Sequence, residues 1–442
     1  VSANKKRLIV IGGGAAGFFC AVNAARLHPS LEVIILEKTS KLLSKVKVSG
    51  GGRCNVTHSC FSIADMVRHY PRGGNFLKKA FHQFFTTDTI QWFSERGVQL
   101  KTEEDGRMFP VTNSSQTIID CLMREANKYG VEVRMMSEVR SLKSEVRSQK
   151  SEVRSLKSEI VDLKSEEVRN SEQRHFTLEL SDLRLLTSDF VCIASGGYAK
   201  LSQFGWLQQL GHSIAEPVPS LFTFNMPGNA ITQLMGVSVP EAHVKIAGSN
   251  LSAKGPLLIT HWGMSGPAVL RLSAWGARQL ATDNWQFAII VNWLPEYNEN
   301  TLREHLQQLR FELAPQKIVN RNPFNLPQRL WQYLVEQSGI QEEKRWADVS
   351  AKEQNKLITN CCAQEFKVQG KTTFKEEFVT AGGVQLAEVD ANTMQSKIVP
   401  QLYFAGEILD VDGITGGFNF QNAWTSGFIA AKAIAATDEN KI

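Results

Sequence analysis

The sequence predicts an α/β fold: a two-part Rossmann-type domain built from both ends of the chain, with an inserted β-rich plus helical domain between them. Three observations lead there. A strand–glycine–helix–strand unit occupies residues 7–37, a strand, a glycine run and a helix recur at residues 401–436, and the pattern between residues 198 and 378 is different. The expected division is therefore 1–197, 198–378 and 379–442.

In the first unit, Arg7–Ile11 reads as a short buried strand and Phe18–Leu27 as a helix, with Phe18, Val22 and Ala25 on one face. Between them Gly12-Gly13-Gly14-Ala15-Ala16-Gly17 fits G-x-G-x-x-G. A second strand, Glu32–Leu36, ends in Glu37, 20 residues beyond Gly17. Gly12 permits a tight turn, Gly14 lets the backbone approach a pyrophosphate, and Gly17 lets helix and strand pack closely. The positive end of the helix faces the phosphates. Glu37 is placed to accept hydrogen bonds from a ribose diol. The unit predicts a dinucleotide but does not say which one.

The far end of the chain decides that question. Gln401–Ala405 reads as a strand, followed by Gly406-Glu407, Asp412-Gly413, Gly416-Gly417-Phe418-Asn419-Phe420-Gln421 and a helix over Asn422–Ala436. A glycine pair ahead of a helix makes a second anion-friendly start. NAD needs no such second site, whereas FAD, with its ribityl chain and large ring, does. No separate G-x-G-x-x-G for a nicotinamide is found. Ala194-Ser195-Gly196-Gly197 and Thr380-Ala381-Gly382-Gly383 read instead as strand-to-turn crossings.

With both ends read, the chain resembles the BaiN/YhiN-like flavoproteins, described as NAD(P)/FAD-dependent oxidoreductases. The residues that carry the resemblance are Ile9–Gly17 with Glu37, then Val48-Ser49-Gly50-Gly51-Gly52-Arg53-Cys54-Asn55-Val56-Thr57 and Gly106–Pro110. Thr260-His261-Trp262-Gly263-Met264-Ser265-Gly266-Pro267, Val379–Val384 and Gly406–Gly427 follow in order, so nearly the whole chain is covered. The resemblance implies a two-part Rossmann-type FAD-binding domain with an inserted substrate domain. It implies FAD contacts at Gly12, Gly14, Ala16, Gly17, Glu37, Asn55, Gly406, Glu407 and the loop of Gly417, Phe418, Asn419 and Gln421. The candidate set also takes in Ala15, Lys38, Gly52, Cys54, Ala194 and Gly196. These adjoin the implied contacts or lie at the 194–197 crossing. Members of the family include reducers of carbon–carbon double bonds in steroid-like acids and enzymes described as amine or aminoketone oxidases. Substrate does not transfer with the fold.

The sequence departs from that family between residues 137 and 169, where SEVRSLK, SEVRSQK, SEVRSLK and SEIVDLK follow one another. Val139, Leu142, Val146, Val153, Leu156, Ile160 and Leu163 fall on a heptad seam that Gln149 interrupts. One reading is a coiled-coil arm for self-association. A second is a tandem duplication that lengthened a surface hairpin, with flanking strands near Val131–Met135 and Phe176–Leu180 in the FAD domain. In the middle of the chain Leu221–Met226, Val237–Val239, Ala242–Ile246, Leu257–Thr260 and Phe287–Val291 read as short strands of a β-rich, barrel-like module. Thr301–Leu313, Pro327–Ser338 and Ala351–Cys361 read as helices, and Trp206, Trp262, Trp275, Trp285, Trp293, Trp331 and Trp346 as core.

Composition excludes several classes. A chain of 442 residues with 43% hydrophobic content suits two or three domains with a real core. The net charge of +5 arises from 49 basic against 44 acidic residues with no basic stripe, which argues against a nucleic-acid partner. No stretch approaches the ~20 apolar residues that span a bilayer. Lys5-Lys6-Arg7 runs into a strand without a signal-peptide cleavage site, and seven cysteines form no regular framework. Reduced thiols and a cytoplasmic location are expected.

The chemistry expected is a hydride passing through FAD, from a donor such as NADH or NADPH to a small, hydrophobic organic substrate. His261, before a glycine-rich turn, suits proton transfer beside it, or holds the turn through hydrogen bonds. Lys45 and Arg53 either bind a phosphate or carboxylate or pair with acids. Cys54 and Cys60 raise the alternative of a flavin disulfide reductase, although C-x-x-x-x-x-C is one residue longer than that family's pair. A flavin-dependent RNA-modifying enzyme and a non-catalytic flavin-bound sensor also fit these motifs. The nine histidines make no cluster at ligand spacing, so no metal is expected.

Overall fold

The computed structural model describes residues 5–146, 174–372 and 379–437. Five parallel strands form the central sheet: β1 (Arg7–Ile11), β2 (Glu32–Leu36), β3 (Glu132–Arg134), β4 (Phe190–Ile193) and β5 (Leu402–Phe404), in the order β5-β4-β1-β2-β3. β1 reads Leu-Ile-Val-Ile after its first residue and is buried throughout that run, as a strand covered on both faces requires. The chain leaves β1 toward β2 on one side and returns to β4 on the other. The gap between the carboxyl ends of β1 and β4 is therefore the switch point, where open α/β sheets bind their ligands.

Helix α1 (Ala15–Leu27) follows β1 and packs along α2 (Phe418–Ala436), which follows β5. A Cβ on Gly427 would stand 2.8 Å from Ala16 O, so the two backbones nearly touch. Phe19 lies between them, with Trp92, Trp424 and Phe84 at ring-centroid distances of 4.5, 5.2 and 5.6 Å. Such aromatic pairs contribute about 0.5–1.5 kcal/mol each beyond the area they bury. Among the described residues one core thus takes buried side chains from Leu8 to Leu207 and again from Val384 to Ile434, with Ala274 buried in it and Leu210, Ile214 and Leu221 packed against it from between.

A second core runs from Phe222 to Val368 and sits under a seven-stranded antiparallel sheet. The order is Gln364–Gln369, Gln286–Asn292, Ser238–Ile246, Ser252–Thr260, Gly263–Ser265, Thr223–Asn225, Lys371–Thr372. Its two edge strands are separated in sequence by Gly370 alone. Gly370 N–H donates to Trp285 O at 2.8 Å and Asn225 N–H donates to Gly370 O at 3.1 Å, so the sheet curls until its edges meet. This is the barrel-like module, and the two strands expected at 237–246 are one strand with a register shift between Val239 and Ala242. The expected helices appear as Glu299–Glu312, Gln328–Gln337 and Ala351–Cys362. A further helix, Pro267–Thr282, is not among those the sequence predicts; its Pro267 stands in the first turn, where a missing N–H costs nothing. Trp293, Trp331 and Trp346 are buried, but Trp275 on that helix is 46% exposed and is not core.

The heptad reading needs correction over its first repeat. Val139–Val146 is a strand paired antiparallel with Arg174–Leu180, which in turn pairs with Leu185–Ser188. Serine and β-branched valine disfavour a helix here, and a partner strand with Phe176, Leu178 and Leu180 facing the first core is available. Residues 147–169, on which the coiled-coil arm and its self-association depend, lie outside the described residues. The Phe176–Leu180 segment belongs to this separate sheet rather than to the parallel one, though it packs on the same core.

Candidate functional site

Most of the candidate residues gather along the carboxyl edge of the parallel sheet. Gly12 leaves β1 at φ +116°, and a Cβ there would lie 2.3 Å from Ala194 O at the end of β4. A Cβ on Gly17 would lie 1.9 Å from Gly12 O. These two glycines are thus dictated by backbone contact within the protein. Gly14 is different: it caps α1 in an extended conformation, a Cβ on it would meet nothing within 4 Å, and no side chain caps the helix. The start of α1, with Ala15 and Ala16 in its first turn, is open to an anion. Gly52 and Gly196 are open in the same sense, at φ +84° and +75°.

Glu37 ends β2 and turns back on the glycine turn. Its Oε2 accepts from Gly13 N–H at 2.9 Å and its Oε1 accepts from Thr39 N–H and Oγ1 at 2.9 Å. Each carboxylate oxygen has further acceptor capacity, so a ribose diol can be added to a carboxylate already aimed. Lys38 is exposed, with Nζ 5.7 Å from the centre of the Tyr198 ring.

β5 delivers Gly406 against α1: a Cβ there would lie 2.9 Å from Ala16 Cβ, and Gly406 N–H donates to Ser426 Oγ at 2.8 Å. Glu407 Oε1 accepts from Thr380 N–H at 2.9 Å, and its Oε2 pairs with Lys45 Nζ at 2.5 Å. Arg53 pairs with Glu103 at 2.5 Å and lies 4.0 Å over the Phe109 ring. Both basic candidates thus have acids beside them.

The Ser44–Gly52 segment turns left-handed at Gly50, Gly51 and Gly52, and Cys54 follows at φ +60°. This brings Asn55 under the start of α2. Its Nδ2 donates to Thr57 O at 3.0 Å and its Oδ1 accepts from Gly417 N–H at 2.9 Å. Residues from opposite ends of the chain therefore meet at the second glycine motif. Phe418 is stacked on His69 at 4.4 Å and on His58 at 4.9 Å. Asn419 is consumed by Gly413, donating to its carbonyl at 2.9 Å and accepting from its N–H at 2.8 Å. Gln421 is fully buried; it accepts from Thr57 and Thr89 hydroxyls at 2.6 and 3.1 Å and donates to Thr425 at 3.0 Å. The Asn419 and Gln421 side chains hold the loop's shape.

Two candidates for chemistry look different in three dimensions. His261 is exposed on the turn after Ser252–Thr260, edge-on to Trp262 at 4.2 Å. Among the described residues no hydrogen bond links it to the glycine turns, nor does one let it hold its own turn. Cys54 is completely buried, and that burial pushes its thiol up to about 12. A thiol so held is a poor nucleophile at neutral pH. Sequence reasoning misses Thr380, which meets Glu407, and His58 and His69, which form a cluster of three rings with Phe418. The Thr380 run, which reads in sequence as a strand-to-turn crossing, lies within the strand Val379–Val384, paired with Ile214–Ser220. Among the described residues no group of His, Cys, Asp or Glu could hold a metal ion, and no helix is long and apolar enough to cross a membrane.

The HI0933-like protein Rossmann domain matches residues 6–433. The chain belongs to the HI0933-like family. The chain is similar to the ribosomal RNA dihydrouridine synthases of Haemophilus influenzae, 30% identical over 97% of this chain and 98% of that protein, and of Escherichia coli, 29% identical over 97% and 98%. The 3-dehydro-bile acid delta(4,6)-reductase of Clostridium scindens is 26% identical over 97% of this chain and 99% of its own. HI0933-like proteins carry an FAD-binding Rossmann domain, and this chain is an FAD-dependent oxidoreductase. The residues present suit that group. The uncapped start of α1 and the open Gly14 would take the pyrophosphate, Glu37 the ribose, and the start of α2 the electron-rich edge of the ring.

Proposed function

We propose that this chain saturates a carbon–carbon double bond conjugated to a carbonyl, using electrons from NADH or NADPH. The observation that carries the reading is that full-length relatives named for different substrates share this one reaction. Turning uridine into dihydrouridine and reducing a 3-oxo Δ4,6 bile acid both add hydrogen across an activated C=C bond. FAD, when bound, supplies the hydride chemistry, and the protein supplies placement and electrostatics. Gly12, Gly14 and Gly17 shape the first turn, Glu37 would orient the ribose of FAD, and Asn55 fixes Gly417 N–H at the start of α2, which would hold the ring. The positive end of that helix would favour negative charge on a ring held there.

For the acceptor, two relatives point to a uracil base of ribosomal RNA and one to a steroid-type enone. Their agreement and higher identity put the uracil first, which departs from the small apolar substrate and the absence of nucleic acid expected from composition. The enone is the second reading, favoured by the Clostridium scindens relative. The test is anaerobic. The FAD-loaded protein is mixed with NADH or NADPH, and the reduced form is then offered an unmodified ribosomal RNA transcript or a 3-oxo-4-ene steroid. Bleaching by one nucleotide and reoxidation by RNA, with dihydrouridine in the product, is expected. Reoxidation by the steroid alone selects the second reading. If neither nucleotide bleaches the flavin, or neither acceptor reoxidises it faster than buffer, the proposal fails.

A further inference from the structure

We propose that Arg72 is a positioning residue: through Asp412 it sets the flavin-facing loop Gly413–Phe418 against the inserted module. Arg72 lies 13% exposed and the Asp412 side chain not at all. Nε and Nη2 of the guanidinium each donate to one carboxylate oxygen of Asp412. Nη2 donates as well to Ala274 O at 2.9 Å, in the helix Pro267–Thr282, and Ser220 Oγ donates to Asp412 Oδ2 at 2.9 Å. One buried cluster therefore joins both parts of the FAD domain to the strand and helix that lead into and support the barrel. Around it the backbones of residues 72 and 412 bridge antiparallel, a Cβ on Gly73 would lie 2.5 Å from Val411 Cγ2, and Arg278 pairs with Asp410 at 3.1 Å.

The chain beyond Asp412 is tied to the same segment. Ile414 N–H donates to His69 O at 2.9 Å, Tyr70 Oη donates to Phe418 O at 2.7 Å, and Asn419 closes the loop on Gly413. The loop before α2 thus hangs on residues 69–72, and a displacement of the inserted module reaches it through Ser220, Ala274 and Arg72. A buried ion pair gives little net stability over apolar groups of similar size, and its value lies in specifying geometry. The planar fork of arginine meets two carboxylate oxygens and a carbonyl from donors at fixed, separate positions, whereas a lysine ammonium donates from a single point.

The inference needs FAD at the two helix starts but neither the donor nor the acceptor proposed above, so its test uses the flavin alone. Arg72→Met, Arg72→Lys, Asp412→Asn and Ser220→Ala, each loaded with FAD, are compared with the unaltered chain. The measurements are the visible flavin band, the midpoint potential, the FAD release rate and Tm. The expected result is a displaced flavin band and potential in Arg72→Met and Asp412→Asn. FAD release should also quicken by roughly tenfold, since lost contacts act mostly on dissociation. Arg72→Lys should not restore them, and Ser220→Ala should move them a smaller distance the same way. If the variants differ from the unaltered chain only in Tm, with band, potential and release unchanged, Arg72 is merely structural and the proposal is overturned. Should Arg72→Met fail to fold, an unaltered band and potential in both Asp412→Asn and Ser220→Ala overturns it equally.

Discussion

A thiol and an imidazole show how burial decides chemistry at single residues. Cys54 adjoins the second glycine motif but is sealed and held near 12 by desolvation, whereas Cys60 is partly exposed. A thiol reagent at neutral pH should therefore modify Cys60 in the folded protein and leave Cys54 untouched, as peptide mapping after labelling would show. Labelling of Cys54 in the native state would reopen the disulfide-reductase alternative. His212 is 2% exposed, with Nδ1 3.1 Å from Glu388 Oε2 and Nε2 3.1 Å from Ser396 Oγ. Burial is the largest influence and pushes its imidazole below the ordinary range, against the pull of Glu388. The unfolded chain, titrating near ~6.5, then takes up the proton before the folded one does. Stability from this site is complete above that pH and declines as pH falls below it. Tm measured from pH 8 to pH 5.5 should drop toward the acid end, and His212→Gln should flatten the slope. Neither environment is legible in the sequence, because desolvation depends on what folds over a side chain.

Elements are legible where their signal is local. β1, the glycine turn and β2 match their sequence reading because an apolar run, a turn and an acid are all written within residues 7–37. The same turn separates fold from binding in a way that can be tested. Gly17→Ala must push Gly12 O away from 1.9 Å, an overpacking that costs about 1–3 kcal/mol. Gly14→Ala meets no protein atom and should leave Tm almost unchanged, within about 0.5 kcal/mol. It would nevertheless fill the opening left for the pyrophosphate, so FAD affinity should fall roughly tenfold, or ~1.4 kcal/mol, by fluorescence titration. A large Tm loss in Gly14→Ala with normal FAD uptake would contradict the assignment of the site. The helix Pro267–Thr282 escapes a sequence reading because Ser265-Gly266-Pro267 reads as a turn, although proline in a first helical turn is itself a start signal. The heptad repeat misleads for a related reason: a period of three and four does not choose a helix when a partner strand lies ready at Arg174–Leu180.

At the scale of the whole molecule, two cores and a split site arise from connectivity that the sequence only hints at. The glycine motifs at both ends are visible, but Arg72 and Asp412 are 340 residues apart and carry no shared pattern, so their pairing requires the fold. His261 shows the converse, since a motif draws attention to a side chain whose exposed setting only the fold reveals. The strands Val139–Val146 and Arg174–Leu180 pair from Val139 and Leu180 up to Val146 and Arg174. Replacing residues 148–172 by a short glycine-containing turn should accordingly leave FAD content and Tm as they are. Loss of flavin in that variant would give the repeat a structural role. The seam between α1 and α2 also has a consequence for synthesis. On a ribosome adding roughly 5–20 residues each second, β1 and α1 are made long before the segment that covers them. Until Phe418–Ala436 leaves the exit tunnel, the apolar flank around Phe19 has no lid, and the nascent polypeptide must wait half-clothed, in need of chaperones. Colour should therefore arrive last, and chains halted before Leu402 should be translated but never turn yellow.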